Sequence, residues 1–333
     1  MRFELPVGAP TGIGSLPFRD PIRAARFVQR HLPELPAIPT LPKRSPAESM
    51  VPQAVVGIQG ITVGQYGSLA VDLTKVDPAA PVVTPIEHGA FAGLRAFLEV
   101  ADPSTKSIKW QIVGPLTLGL TLVRAGVPTG PAFEVAIRAI RSHVSAIHQR
   151  VDAVLPGVPQ LVFIDEPMFT DVQDESFPVP ASIAIDYVSM ALATVQQFGV
   201  SGVHCCGRGD WGSIIASGPE VLSLPVTADL AEHAGLLGRF LEDGGCIAWG
   251  AVHTDRPIPS SSQRPWRELM DLWDSLAAGG CDQDLLRHQS MLTPACGLFA
   301  HAESVAERVF RILREMSDRL RGIGGSAPLT IGA

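Results

Sequence analysis

The chain has 333 residues, a formal net charge of −7, 46% hydrophobic and 18% charged side chains. That is enough apolar material for a large core and too much for disorder, and it leaves no basic stripe along which a nucleic acid would lie. No window approaches the roughly 18 continuous apolar residues of a membrane span, the start lacks a charged-then-apolar leader, and five cysteines without regular spacing do not read as a disulfide framework, so a cytoplasmic protein with reduced thiols is expected.

Short apolar runs alternate with amphipathic helical runs. The first strand candidate is Thr11 to Pro17. Asp20-Pro21-Ile22 then opens a helix with an N-cap and a proline at its first position. The second strand candidate is Ala37 to Leu41. Residues 44–105 are longer than one crossover and read as an insertion: a helix near Glu48 to Ile58, an extended pair from Ile61 to Leu73, and a helix from Glu87 to Val100. Further strand candidates follow at Ile108 to Gly114, Gln160 to Asp165, Gly199 to Cys206, Val221 to Leu224, Cys246 to Val252 and Ser290 to Thr293. Helices are expected over Phe133 to Val154, Asp229 to Glu242, Trp266 to Ala278 and Ala302 to Leu320. Eight strands with helices between them predict an α/β fold, a (β/α)8 TIM barrel, as a single domain over residues 1–325 with an insertion between strands two and three, followed by a loose tail at 326–333.

In such a barrel, reactive groups collect at the carboxyl ends of the strands. Ser15 ends strand one, Asp165 and Glu166 end strand four, His204 and Cys206 end strand five, His253 follows strand seven and Cys296 follows strand eight. Side chains alternate faces along a strand, so His204 and Cys206 share a face and Cys205 takes the other. An imidazole and a thiolate on one face make half of a zinc site; Cys296 at another strand end would add a third ligand and leave a position open for substrate. Each residue also has a plainer reading. Asp165-Glu166-Pro167 would serve as a helix cap, His204 as a hydrogen-bonded core histidine, Ser15 as a turn residue and His253 as a loop cap. Cys246 and Cys281 read as small buried hydrophobes.

Taken together, Ile13-Gly14-Ser15-Leu16-Pro17, Val113-Gly114-Pro115-Leu116-Thr117, Ile164-Asp165-Glu166-Pro167, His204-Cys205-Cys206, Ala251-Val252-His253 and Pro294-Ala295-Cys296-Gly297-Leu298 resemble the catalytic barrel of cobalamin-independent methionine synthase, within the wider group that includes uroporphyrinogen decarboxylase-like proteins. The resemblance runs in order along most of the chain. It implies a methyltransferase that uses Zn2+ to activate a thiol such as homocysteine for methionine formation. His204, Cys206 and Cys296 would hold the metal. Asp165 or Glu166 would bind the substrate ammonium, Ser15 its carboxylate, and His253 would give a proton to the leaving group.

Two departures from the family accompany these matches. A second, amino-terminal barrel helps the full-length synthase hold its methylfolate, and this chain has no room for one. The methyl donor is therefore expected to be a corrinoid, free or on a partner protein, or another simple methylated compound. The glutamate that completes the family's zinc site ends strand six, where this chain has Pro225; Asp229, Glu232 and His233 lie past the strand. Three protein ligands, or a weak site, are expected. Two alternatives compete. One is a decarboxylase of the uroporphyrinogen type, with Arg19, Arg23, Lys43 and Arg44 holding substrate carboxylates. The other is a non-catalytic relative that binds a thiol or corrinoid.

Overall fold

The structure, a computed structural model, describes residues 3–5, 7–323 and 329–331. The strands are β1 (Phe3–Leu5), β2 (Ala9–Pro10), β3 (Ile61–Val63), β4 (Leu69–Val71), β5 (Ile108–Val113), β6 (Gln160–Asp165), β7 (Val200–His204), β8 (Val221–Pro225), β9 (Cys246–Val252), β10 (Ser290–Pro294) and β11 (Leu329–Ile331). The α-helices are α1 (Pro21–His31), α2 (Met50–Ala54), α3 (Ala92–Glu99), α4 (Pro115–Arg124), α5 (Thr129–Asp152), α6 (Ala181–Val195), α7 (Trp211–Ala216), α8 (Ala234–Glu242), α9 (Gln263–Ala278), α10 (Gln283–His288) and α11 (Glu303–Ile323). No helix among the described residues is long and apolar enough to cross a membrane.

Seven of these strands form one parallel sheet in the order β2-β10-β9-β8-β7-β6-β5. The segment read as strand two joins it only through isolated parallel bridges, Ser15 with Thr40 and Ala37 with Lys109. Leu16 N–H donates to Thr40 O at 3.0 Å, Thr40 N–H to Gly14 O at 3.0 Å and Ile38 N–H to Lys109 O at 2.8 Å. Regular pairing of the first barrel strand covers Ala9–Pro10, just before the expected Thr11 to Pro17, which joins the sheet through the isolated bridge at Ser15.

Strand alternation divides the buried residues into two sets. Ala9, Leu161, Phe163, Val200, Val221, Cys246, Ala248 and Met291 pack together on the concave face of the sheet. Val162, Ile164, Val203, Leu222, Ile247, Trp249 and Leu292 belong to the larger core against the helices. Because side chains repeat every second residue, the parity that puts Val200 on the concave face also puts His204 there, and that of Leu161 and Phe163 puts Asp165 there.

Asp20 caps α1, its Oδ1 accepting from Arg23 N at 3.1 Å with Pro21 at the first position. The insertion holds two short 3-10 turns, α2, the antiparallel β3–β4 pair and α3. The helix expected near 48–58 is shorter, Met50–Ala54, and the chain turns beyond it with Gly57 at a φ of +91°. Helices α4, α6, α7 and α10 have no counterpart among the expected helices. Of the tail, residues 329–331 form β11 and pair antiparallel with β1; the rest of it lies outside the described residues.

Candidate metal centre and its cavity

His204 ends β7 and Cys206 follows two residues later. Cys296 lies just past β10, where the register against β9 shifts between Thr293 and Pro294. The ligand atoms of His204, Cys206 and Cys296 all lie within 4.8 Å of one another. Cys205, on the opposite face, is fully buried in the helix-facing core.

His204 is buried, and its Nδ1 is 2.9 Å from Ser223 Oγ on β8. Its Nε2 is buried without a hydrogen-bond partner. A buried unpaired ring nitrogen is costly, and here it sits beside two sulfur atoms. One imidazole and two thiols are a donor set that suits zinc, so the residues present fit the metal. Cys206 and Cys296 share a hydrogen bond that pulls the Cys296 thiol down to about 4, with further help from His204, while the same bond and burial push the Cys206 thiol up. A proton held between two sulfurs is one that a metal ion displaces.

The cluster opens on a cavity of about 370 Å3, also lined by Ile13, Ser15, Gln111, Asp165, Pro167 and Gly297. The insertion supplies Glu48, Ser49, Met50 and Gln53 to its wall. Asp165 is buried, and its Oδ1 has no partner. Burial raises its pKa to about 6, against the pull of His204 and Lys109.

Sequence reasoning missed two charged residues here. Lys109 on β5 is fully buried. Its Nζ donates to Ile13 O at 2.7 Å and Gln111 Oε1 at 2.8 Å and stands 4.6 Å from the Phe163 ring centre. Burial lowers its pKa to about 7, opposed by Asp165. Glu48 is buried within the insertion; its Oε2 accepts from Leu41 N and Gly93 N at 3.3 Å each, and its Oε1 accepts from Arg44 at 2.8 Å. Burial pushes its carboxyl up to about 7. The signal for Lys109 was present as a lysine at an inward-facing position of a mostly apolar strand. Glu48 had no local signal, since its burial depends on α3 and the 41–44 turn.

Two expected site residues stand elsewhere. Glu166 does not line the cavity. Its Oε1 accepts from Leu116 N at 2.8 Å, and its Oε2 accepts from Thr117 N at 2.8 Å and Thr117 Oγ1 at 2.6 Å. These are the first-turn donors of α4, where a carboxylate is favoured. Gly114 leaves room for it, as a Cβ there would lie 2.0 Å from Glu166 Oε1. Glu166 therefore caps α4 and faces away from the cavity. Burial raises its pKa to about 7 against those three donors. His253 likewise lies outside the cavity lining; its Nε2 is 2.8 Å from Val226 O and its Nδ1 3.7 Å from Asp255.

Pro225 ends β8 opposite Gly250, and Asp229, Glu232 and His233 lie in the 3-10 turn beyond it. None of them joins the cluster among the described residues. None of the cations considered for a decarboxylase lines the cavity. Arg19 donates to Lys43 O, Lys43 to His301 O, Arg23 pairs with Glu303 and Arg44 with Glu48. Cys246 and Cys281 are buried away from the cavity.

No family model matches the chain, and no curated protein matches it. Among solved structures, it is similar to a candidate vitamin-B12-independent methionine synthase from Listeria monocytogenes. That comparison gives a TM-score of 0.60 at 12% identity, covering 97% of this chain and 99% of that one. At this identity the likeness establishes a shared α/β fold with a curled parallel sheet.

Proposed function

We propose that the chain is a zinc-dependent S-methyltransferase, built on an eight-stranded (β/α)8 barrel, that methylates a thiol such as homocysteine to form methionine. The parallel bridges at Ser15–Thr40 and Ala37–Lys109 support closure of the sheet through the 37–40 segment. The observation that carries the function is the convergence of His204, Cys206 and Cys296 within 4.8 Å in the wall of a cavity also lined by Asp165, whose Oδ1 is unpartnered.

A bound zinc would lower the pKa of the substrate thiol so that it ionises near neutral pH, its proton passing to solvent. His204, through Nε2, and the two cysteine sulfurs would hold the metal. With no carboxylate from β8 a metal there would have three protein ligands, which would leave room for the substrate thiol. Asp165 accepts from the substrate ammonium, which orients the sulfur toward the cysteines. The apolar wall of Ile13, Ile112 and Pro167 excludes water from the sulfur. No proton-donating role is proposed for His253.

The donor must reach the sulfur from the cavity mouth, where Met50 and Phe299 are both exposed. We infer a methylated corrinoid, because cobalt leaves without needing a proton whereas the folate nitrogen needs one. The test is methionine formation from homocysteine with methylcobalamin or with methyltetrahydrofolate. Turnover with the corrinoid alone is expected. Efficient folate turnover that collapses in His253→Ala would overturn this reading of the donor, and metal binding without any turnover would favour the non-catalytic alternative.

A further inference from the structure

If the substrate is a thiol amino acid, its carboxylate must be held without a direct cation, because no lysine or arginine lines the cavity. Neutral donors have to serve. Gln111, on β5, lines the same wall as Ser15. Its Oε1 accepts from Lys109 Nζ at 2.8 Å, and that Nζ also donates to Ile13 O at 2.7 Å. An ammonium only donates, so the amide oxygen is the atom turned toward Lys109 and the NH2 group is turned away from it. The amide lies flat on Gly14. A Cβ at that position would sit 1.9 Å from Gln111 Nε2, and the φ of +132° is one that L side chains rarely adopt. Gly14 directly precedes Ser15. On the other side of Ser15 is Gly297, where a Cβ would sit 1.9 Å from Ser15 Oγ. Two glycines thus let the amide and the hydroxyl pack tightly into neighbouring parts of one wall.

We propose that Gln111 binds the carboxylate of the thiol substrate, its NH2 group and the Ser15 hydroxyl supplying the donors. Lys109 fixes the amide and polarises it, so the buried positive charge acts on the carboxylate through one intervening hydrogen bond. This makes Gln111 the residue that selects amino-acid thiols over simple aminothiols, and it rests on the function proposed above.

The test compares homocysteine with 3-aminopropane-1-thiol, which has the same thiol and ammonium and no carboxylate. Dissociation constants are measured by calorimetry on the zinc-loaded protein, for the parent, Gln111→Glu and Gln111→Met. Gln111→Glu keeps an acceptor for Lys109 and removes the donors; Gln111→Met removes both at similar volume, and the melting temperature of each variant checks its folding. The parent should bind homocysteine about tenfold or more tighter than the aminothiol, as expected for a hydrogen bond to a charged group. Both variants should lose about that factor for homocysteine and bind the aminothiol as the parent does. Unchanged homocysteine affinity in the variants, or equal losses for both thiols, would overturn the assignment. A parent protein that binds both thiols equally would overturn it while leaving the methyl-transfer reading intact, and a parent that binds neither would overturn both.

Discussion

At the scale of single residues, the candidate site depends on which nitrogen of His204 is free. Nδ1 faces Ser223 Oγ at 2.9 Å and Nε2 is unpaired. For Nε2 to serve as a ligand, Nδ1 must carry the proton and donate it to the serine, which fixes both tautomer and ring orientation. Ser223→Ala should then lower zinc affinity about tenfold to a hundredfold, and Ser223→Thr should restore it. Competition with a chromogenic chelator measures both, and equal affinities in all three proteins would show that the serine does not orient the ring. Asp165 gives a second prediction. Its Oδ1 has no partner to lose, so Asp165→Asn should weaken thiol binding at least about tenfold and leave the melting temperature nearly unchanged. Unfolding without any change in affinity would make Asp165 structural. These residues were legible from strand ends alone, because inward parity and position at the carboxyl end are local properties. Ser223 was not: its role depends on the pairing of His204 with Ser223 across β7 and β8, which no single segment encodes.

At the scale of elements, the interlock between β6 and α4 joins two motifs that the sequence showed separately. Val113-Gly114-Pro115-Leu116-Thr117 provides a glycine gap, a proline at the first helical position and two backbone donors; Glu166 provides the carboxylate that fills the gap. Glu166→Ala leaves those donors buried and unpaired, at a cost of about 1–3 kcal/mol for each unsatisfied group. Chemical denaturation should therefore report a large loss of stability in Glu166→Ala and a smaller one in Glu166→Gln, which retains one acceptor. Thiol affinity should stay at the parent value in whichever variant folds. Reduced affinity at full stability would return Glu166 to the substrate. Adjacent acids at one strand end looked equivalent in the sequence. Alternation separates them: Asp165 keeps the inward parity of Phe163, and the next residue turns toward the neighbouring helix. The α1 cap by Asp20 and Pro21 was readable because capping is local. The limits of α2 and the regular pairing of β2 depend on packing between distant segments.

At the scale of the whole molecule, the inside of the sheet carries a buried charge, and this gives a pH signature. Burial lowers the Lys109 pKa from its ordinary value of 10.5 to about 7 in the fold. Below about pH 7 the lysine is charged in both states, and the cost of burying that charge is fully present. Between about 7 and 10.5 the unfolded chain binds more protons, so stability rises with pH, by at most about 1.4 kcal/mol per pH unit. Denaturation of the parent and of Lys109→Met from pH 7 to 9 should show the difference between them changing in that direction; parallel profiles would contradict it. The succession of strands was readable from the alternation of apolar and amphipathic runs. The weak pairing of the 37–40 segment was not, because it is held by isolated bridges and its composition resembles that of a full strand. The account's central claim is that the sheet brings His204, Cys206 and Cys296 together to hold one metal ion. Elemental analysis of the purified protein and its cysteine variants tests this most directly. About one zinc per chain is predicted for the parent and for Cys205→Ala, and none for Cys206→Ala or Cys296→Ala; equal metal content in Cys206→Ala and the parent would contradict it.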